Sequence, residues 1–143
     1  TPYTKSISIS NHPDILKLEN VQHLKSIIKT KLNKNICLLE LIKILHPTPA
    51  VAGTPIKSAL NYITENEKHD RGWYSGPIGW IDSNGNGDIF VALRSALYKN
   101  KLIHVFSGSG IVSQSSPESE WEETEMKLAP ILNALYGEEI KYG

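Results

Sequence analysis

The sequence is poor in cysteine, in net charge and in long apolar runs. Its 143 residues include a single cysteine, Cys37, so an internal disulfide and a metal site built on paired cysteines are excluded. Fifteen basic side chains balance fifteen acidic ones, whereas a general nucleic-acid binder needs an excess of positive charge. No apolar run reaches the ~20 residues that cross a bilayer. We therefore expect a soluble, cytoplasmic chain whose partners include neither nucleic acid nor membrane.

The length fits one domain, or a large piece of one, over residues 1–143. The chain opens on Thr1 without a methionine, and no signal-peptide pattern follows. We expect that a segment upstream has been removed. Of the five histidines, His23 and His46 stand alone, without a second ligand at a metal-binding spacing, so a zinc site is not expected.

The pattern of apolar and turn residues predicts an α+β fold with an antiparallel sheet and flanking helices. Thr54 is the expected N-cap of the second helix and Pro55 its first residue. Pro130 is expected to kink the last helix or loosen its final turns. The predicted strands are 5–10, 20–32, 73–81, 88–97 and 102–106, and the predicted helices are 36–45, one starting at 54–55, and 116–136. The central strands are apolar on both sides, and three helices do not obviously cover both faces of such a sheet.

Residues 82–88 (DSNGNGD) match the first half of a calcium-binding EF-hand loop, with a glycine at its sixth position. The match fails at the twelfth position, where Leu93 replaces the bidentate glutamate. The flanks also read as strands. A solvated hairpin turn is the better interpretation, because turn chemistry alone explains the residues.

Three charged residues near the start of the last helix share one face. Glu120, Glu123 and Lys127 stand at i, i+3 and i+7. Two carboxylates one turn apart can hold a hard cation such as Mg²⁺, and a lysine below them can pair with an anionic substrate. The alternative is a solvated face with an ordinary Glu123–Lys127 ion pair.

Other candidates lie in the central strands and just after them. Arg94 is a cation in an otherwise apolar run, suited to grip a carboxylate or to form a structural ion pair. Tyr74 could reach the same anion or serve as a core aromatic. Gly108 and Gly110 follow a strand, where glycines let a ligand approach backbone N–H groups, or form a plain turn. The spacing does not support a dinucleotide-binding loop, because Ser113 stands where the third glycine belongs.

Together these segments resemble the chorismate-utilising enzymes, and among them the isochorismate synthases. The similar stretches occur in the family's order and at its spacing, and they cover about residues 21–135. They are 21–24 (VQHL), 46–53 (HPTPAVAG), 70–77 (DRGWYSGP), 91–97 (VALRSAL), 107–112 (SGSGIV) and 117–127 (PESEWEETEMK). The resemblance implies that 1–143 is the C-terminal part of a single chorismate-binding domain, whose fold has two large antiparallel sheets with helices outside.

The resemblance also implies a reaction and a set of roles. The reaction is the Mg²⁺-dependent addition of water at C2 of chorismate with loss of the C4 hydroxyl. Arg94 and Tyr74 would hold the enolpyruvyl carboxylate. The remaining implied site residues are His23 facing the substrate ring, Ala50, the backbone at Gly108 and Gly110, and Lys127 beside the substrate carboxylates, with Glu120 and Glu123 as metal carboxylates.

Ala50 bears on the branch of the family, because salicylate-forming relatives tend to carry a hydroxyl residue there. The HPTP stretch also resembles the isochorismate branch more than the anthranilate branch. No position matches the family's general-base lysine, its general-acid glutamate or a further metal glutamate, which are expected upstream. We therefore expect the missing N-terminal part of the same polypeptide as a partner and an inactive chain in its absence. The alternatives are a non-catalytic binding module and a salicylate or anthranilate synthase.

Overall fold

The computed structural model describes residues 3–17, 22–33 and 36–137. The chain divides into two units, Thr1–Leu41 and Ile42–Gly143. The secondary structure is α+β, as the sequence predicts. Four antiparallel hairpin-like pairs, each a two-stranded sheet, stand in place of one continuous sheet among the described residues.

The first unit consists of two strand pairs. Strand β1 (Thr4–Ile9) pairs with β4 (Ile28–Leu32), and β2 (Asp14–Lys17) pairs with β3 (Gln22–Lys25). The strand predicted from the alternating pattern after residue 4 is therefore confirmed.

The single predicted strand over residues 20–32 is wrong. It contains two strands, and β2 had no counterpart in the prediction. The break falls at Ile27, whose carbonyl accepts a hydrogen bond from the Ser10 backbone N–H at 3.0 Å, while the Ser10 hydroxyl accepts from the Ile27 N–H at 3.2 Å. Because of these two hydrogen bonds, the residues before Ile27 pair with β2 and the residues after it pair with β1. Asn20 and Val21 lie outside the described residues.

Three helices follow. Helix α1 (Leu38–Leu45) begins two residues later than predicted and ends before His46, as the prolines require. A short helix, α2 (Pro49–Ala52), was not predicted. Helix α3 (Ile56–Asn66) follows, but the predicted cap at Thr54 is wrong: Pro55 is the N-cap, and no side chain caps the helix.

The next four strands form two hairpins. Strand β5 (Pro77–Ile81) pairs with β6 (Gly87–Val91), and β7 (Ser95–Lys99) pairs with β8 (Leu102–Phe106). The predicted strand 88–97 is therefore wrong, because it breaks between β6 and β7. Arg94 stands in this break with a φ of 49°, which an extended strand does not allow.

The predicted strand 73–81 is too long at its start. Residues 72–75 form a turn, and the strand begins at Pro77. The Tyr74 N–H donates to the Arg71 carbonyl at 2.8 Å, and Ser75 has a φ of 62°. Tyr74 is therefore a turn residue rather than the first residue of a strand.

Residues 82–86 form the hairpin turn between β5 and β6, as predicted. One carboxylate oxygen of Asp82 accepts hydrogen bonds from the backbone N–H groups of Asn84 and Asn86, each at 2.8 Å. The side-chain and backbone hydrogen bonds from Asn86 lower the pKa of Asp82. Strands flank the turn on both sides, so the EF-hand interpretation is excluded.

The last helix, α4 (Pro117–Tyr136), has the predicted extent. The Ser116 hydroxyl accepts a hydrogen bond from the Ser119 N–H at 3.2 Å and caps its start, and Gly137 ends it in a left-handed conformation. The helix continues past Pro130 to Tyr136.

The described residues bury little apolar surface. Ala52 and Ala92 are the only buried apolar residues among them. The strands β5 and β7 are almost entirely exposed, which fits the prediction that the helices of this chain do not cover both faces of the central strands. Within the described part of the chain, no helix combines the length and apolarity required to span a membrane.

Candidate functional site

Tyr74 is held against the end of β8. Its ring stacks on Phe106 with centroids 5.4 Å apart and planes 14° from parallel. Burial raises the pKa of the Tyr74 phenol, while the nearby Arg71 charge opposes that rise. The hydroxyl is therefore neutral at physiological pH and can donate a hydrogen bond.

Gly108 makes room for the Tyr74 hydroxyl. A Cβ placed on Gly108 would lie 2.8 Å from the Tyr74 Oη, closer than real Cβ atoms approach an oxygen. A side chain at residue 108 would therefore require the Tyr74 hydroxyl to shift. In contrast, a Cβ on Gly110 would meet no atom within 4 Å.

Lys127 connects the loop after β8 with the acidic face of α4. Its ammonium donates to the Gly108 carbonyl at 3.2 Å and forms an ion pair with Glu123 at 2.5 Å. The Lys127 side chain is 21% exposed and that of Glu123 is 48% exposed. The Glu123–Lys127 ion pair, predicted as the alternative to a metal site, therefore forms. The contact of Lys127 with the Gly108 carbonyl connects this pair to the region around Tyr74 and Gly108.

Glu120 lies one turn before Glu123 on the same helix. The Ser115 hydroxyl donates to its Oε1 at 2.5 Å. Hydrogen bonds from Ser115 and Ser109, in that order, lower the pKa of Glu120, so it stays ionised below the usual range of a glutamate. Its Oε2 is buried without a hydrogen-bond partner, and a buried carboxylate oxygen is costly unless a proton, a donor or a cation satisfies it.

This arrangement fits part of a cation site. The unsatisfied Glu120 oxygen and the Glu123 carboxylate are hard oxygen ligands on one helix face, of the kind that Mg²⁺ prefers. The described residues contain no group of three or more histidine, cysteine or acidic side chains placed to hold a metal. Glu120 and Glu123 can therefore supply two ligands, and the described residues place no third histidine, cysteine or acidic side chain with them.

Two cavities lie beside this cluster in the second unit. One, of about 660 Å³, is lined by Tyr74 together with residues of α3 and of the turn after it. The other, of about 810 Å³, is lined by Ala50 of α2 and by Gly110. Ala50 and Gly110 therefore line the same cavity.

Two further predicted site residues are Arg94 and His23. Arg94 is exposed in the break between β6 and β7, so its predicted place within a strand is wrong. The same break is bound to the Tyr74 turn, because the Ser75 N–H donates to the Ala92 carbonyl at 2.9 Å and the Ala92 N–H donates to the Gly76 carbonyl at 2.8 Å. His23 lies in β3 of the first unit, opposite Leu16.

An ion pair between Glu67 and Arg71 was not predicted from the sequence. The Arg71 Nε donates to Glu67 Oε2 at 2.7 Å, and its Nη2 donates to Oε1. Both side chains line both cavities. The i,i+4 spacing of opposite charges could have indicated this pair. However, that spacing predicts an ion pair within a helix, and Arg71 lies in the segment after the end of α3.

Comparison with known proteins decides the family. Residues 1–136 match the family of chorismate binding enzymes. The chain belongs to that family. It is 44% identical over 134 residues to the salicylate biosynthesis isochorismate synthase of Pseudomonas aeruginosa and 47% identical over 126 residues to the isochorismate synthase MenF of Bacillus subtilis. These alignments cover 94% and 88% of this chain, but only 28% and 27% of the two relatives.

A solved structure gives the same result. The chain superposes on DhbC from Bacillus anthracis, an isochorismate synthase structure, with a TM-score of 0.88 at 38% sequence identity. The superposition covers 94% of this chain and 36% of that structure. The resemblance to chorismate-utilising enzymes, and to isochorismate synthases among them, is therefore confirmed, and the chain spans about a third or less of the length of these relatives.

Proposed function

We propose that this chain is the C-terminal part of an isochorismate synthase, which converts chorismate to isochorismate. The reaction forms a C–O bond to water at C2 and breaks the C–O bond at C4, while the ring double bonds shift. A base must take a proton from the incoming water, and an acid must give one to the departing hydroxyl. No residue of this chain is assigned to either role, and both are expected upstream.

The cluster around Gly108 carries this proposal. Tyr74 Oη, the Gly108 backbone, Lys127 and Glu123 meet there, although they come from a turn, a loop and a helix far apart in the sequence. A neutral phenol and an ammonium beside exposed backbone form a suitable surface for a carboxylate. Chorismate carries two carboxylates, so such a surface suits it.

The chain's own residues would bind and orient the substrate. Arg94 offers a planar fork that can grip a carboxylate at two points, with Tyr74 as a third donor. Lys127 places a positive charge beside the second carboxylate while Glu123 keeps the ammonium oriented. Ala50 would line the substrate cavity, the backbone at Gly108 and Gly110 would contact the substrate, and His23 would face the ring.

Mg²⁺ is part of the proposal. Glu120 and Glu123 would hold it, with at least one further ligand from outside the described residues. The bound ion would neutralise a substrate carboxylate and stabilise negative charge that develops during the reaction. The ionised state of Glu120, favoured by Ser115 and Ser109, suits this role.

Two other functions remain as alternatives. A non-catalytic binding module would keep the carboxylate surface without chemistry, and a salicylate or anthranilate synthase would use the same substrate. The alanine at position 50 favours the isochorismate branch over the salicylate branch.

Product analysis of the full-length protein tests the proposal. The protein is incubated with chorismate and Mg²⁺, with and without ammonium, and the products are separated by chromatography. We expect isochorismate as the product in both cases. Salicylate or anthranilate would assign another branch of the family, and binding of chorismate without any turnover would support the binding module.

A further inference from the structure

We propose that Arg71 is a positioning residue for Tyr74, acting through its two-point ion pair with Glu67; the kinetic part of this inference rests on the proposed function. Both residues line the cavities described above, but neither is assigned to substrate or metal binding in the proposed function. Both lie at the base of the turn that carries Tyr74.

Glu67 provides a fixed anchor. It is the C-cap of α3, and its N–H donates to the Ile63 carbonyl at 2.9 Å. Its carboxylate accepts two hydrogen bonds from Arg71, one at each oxygen. The two side chains are only 30% and 26% exposed, so the pair is shielded from solvent more than a typical surface ion pair.

Arg71 transmits this anchor to the turn. Its carbonyl accepts the Tyr74 N–H at 2.8 Å, so the orientation of residue 71 sets the entry of the chain into the turn. The turn uses two left-handed residues, Gly72 with a φ of 54° and Ser75 with a φ of 62°. Glycine adopts this conformation readily, but for Ser75 it is uncommon and persists only where the surrounding contacts hold it.

The other side of the turn is fixed by the backbone bonds between Ser75, Gly76 and Ala92. Tyr74 therefore lies between two supports, the ion pair on one side and the β6–β7 break on the other. The hydroxyl lies close to residue 108, since a Cβ built on Gly108 would be 2.8 Å from the Tyr74 Oη. A small rotation of the turn would move the hydroxyl away from Gly108.

The planar guanidinium of Arg71 is the critical feature, since a positive charge alone cannot fix the direction of the side chain. Lysine at this position keeps the charge and loses the two-point contact. Arg71→Lys therefore separates positioning from simple electrostatic influence on Tyr74. Lys68→Gln is the matched control, because Lys68 lines the same 660 Å³ cavity and takes no part in the pair.

The first experiment does not depend on activity. The full-length protein is labelled with 3-fluorotyrosine, and the ¹⁹F resonance of Tyr74 is assigned by its loss in Tyr74→Phe. We expect that resonance to shift or broaden in Arg71→Lys and in Glu67→Gln and to stay in place in Lys68→Gln. An unmoved resonance in Arg71→Lys would overturn the proposal, and so would an equal shift in Lys68→Gln.

The second experiment measures the kinetic consequence with chorismate. Arg71→Lys should raise the KM for chorismate and lower kcat/KM by up to about 10²-fold, as expected for a misplaced binding group. The kcat/KM of the double variant Arg71→Lys/Tyr74→Phe should be no lower than that of the less active single variant. Multiplying effects would show that Arg71 acts independently of Tyr74. A parent protein without turnover would contradict the proposed function, while the ¹⁹F result would still decide the role of Arg71.

Discussion

At residue scale, Gly108 lies close to the Tyr74 hydroxyl, since a Cβ at residue 108 would be 2.8 Å from the Tyr74 Oη. The Tyr74 ring cannot retreat easily, because it is stacked on Phe106. We predict that Gly108→Ala displaces the Tyr74 hydroxyl and lowers kcat/KM for chorismate in the full-length protein. Gly110→Ala should lose far less, because a Cβ there meets open space and the backbone N–H is retained. Equal losses in steady-state assays of the two variants would show that the contact with Tyr74 is not what residue 108 protects.

Arg94 has a second residue-scale test. It holds a left-handed conformation that is uncommon for a residue with a side chain, and such positions often carry function. Arg94→Lys keeps the charge and loses the fork that grips a carboxylate at two points. We predict a large fall in kcat/KM for chorismate with little change in melting temperature. Activity close to that of the parent would exclude Arg94 as the substrate clamp.

At the scale of elements, local signals predicted the last helix and the 82–86 turn correctly, whereas the breaks within two predicted strands were missed. Helix α4 was given correctly from its Ser116 cap to Tyr136, because capping chemistry and helical periodicity are properties of neighbouring residues. The strands over 20–32 and 88–97 were wrong, since the breaks depend on distant partners, Ser10 in one case and the Ser75–Gly76 backbone in the other.

The same limit applies to the site. The spacing of Glu120, Glu123 and Lys127 placed them on one helix face without any knowledge of tertiary structure. The contact of Tyr74 with Gly108 could not be predicted from spacing, because it depends on how the turn and the β8 loop fold together. The metal alternative and the surface alternative also could not be separated by spacing, because both use the same helix face.

The cap of α4 offers a test of that helix. The Ser116 hydroxyl satisfies the Ser119 N–H at the first turn, just before Glu120. We predict that Ser116→Ala lowers the free energy of unfolding by about 1 kcal/mol in urea titrations. Gln114→Ala, in the exposed loop before the helix, should change it by less than about 0.5 kcal/mol. If the two variants unfold alike, the cap does not stabilise the start of α4.

At the scale of the whole molecule, this chain covers only part of what its relatives contain. The proposed site comprises carboxylate-binding groups and two candidate metal carboxylates, and its base and acid are expected upstream. We predict that the chain alone forms no isochorismate from chorismate and Mg²⁺, because each proton-transfer group expected upstream is worth roughly 10²–10⁴-fold in rate. The full-length protein, assayed in parallel, is the positive control, and circular dichroism of the chain checks that its helices have formed. Turnover by the chain at the rate of the full-length protein would show that the catalytic residues lie within it.

The proposed function depends most on whether the acidic face of α4 binds a metal ion or is simply a solvent-exposed surface. As a surface partner of Lys127, Glu123 would contribute only about 0.3–0.5 kcal/mol to stability. Glu122 is the matched control, since it is the neighbouring exposed glutamate and points about 100° around the helix. The deciding measurement is a Mg²⁺ titration of isochorismate formation by full-length Glu123→Gln and Glu122→Gln, with melting temperatures recorded alongside. We predict that Glu123→Gln abolishes activity or demands far more Mg²⁺, while Glu122→Gln stays near the parent and both melt alike. Equal activity of the two variants at the same Mg²⁺ concentration would contradict the metal site on this helix.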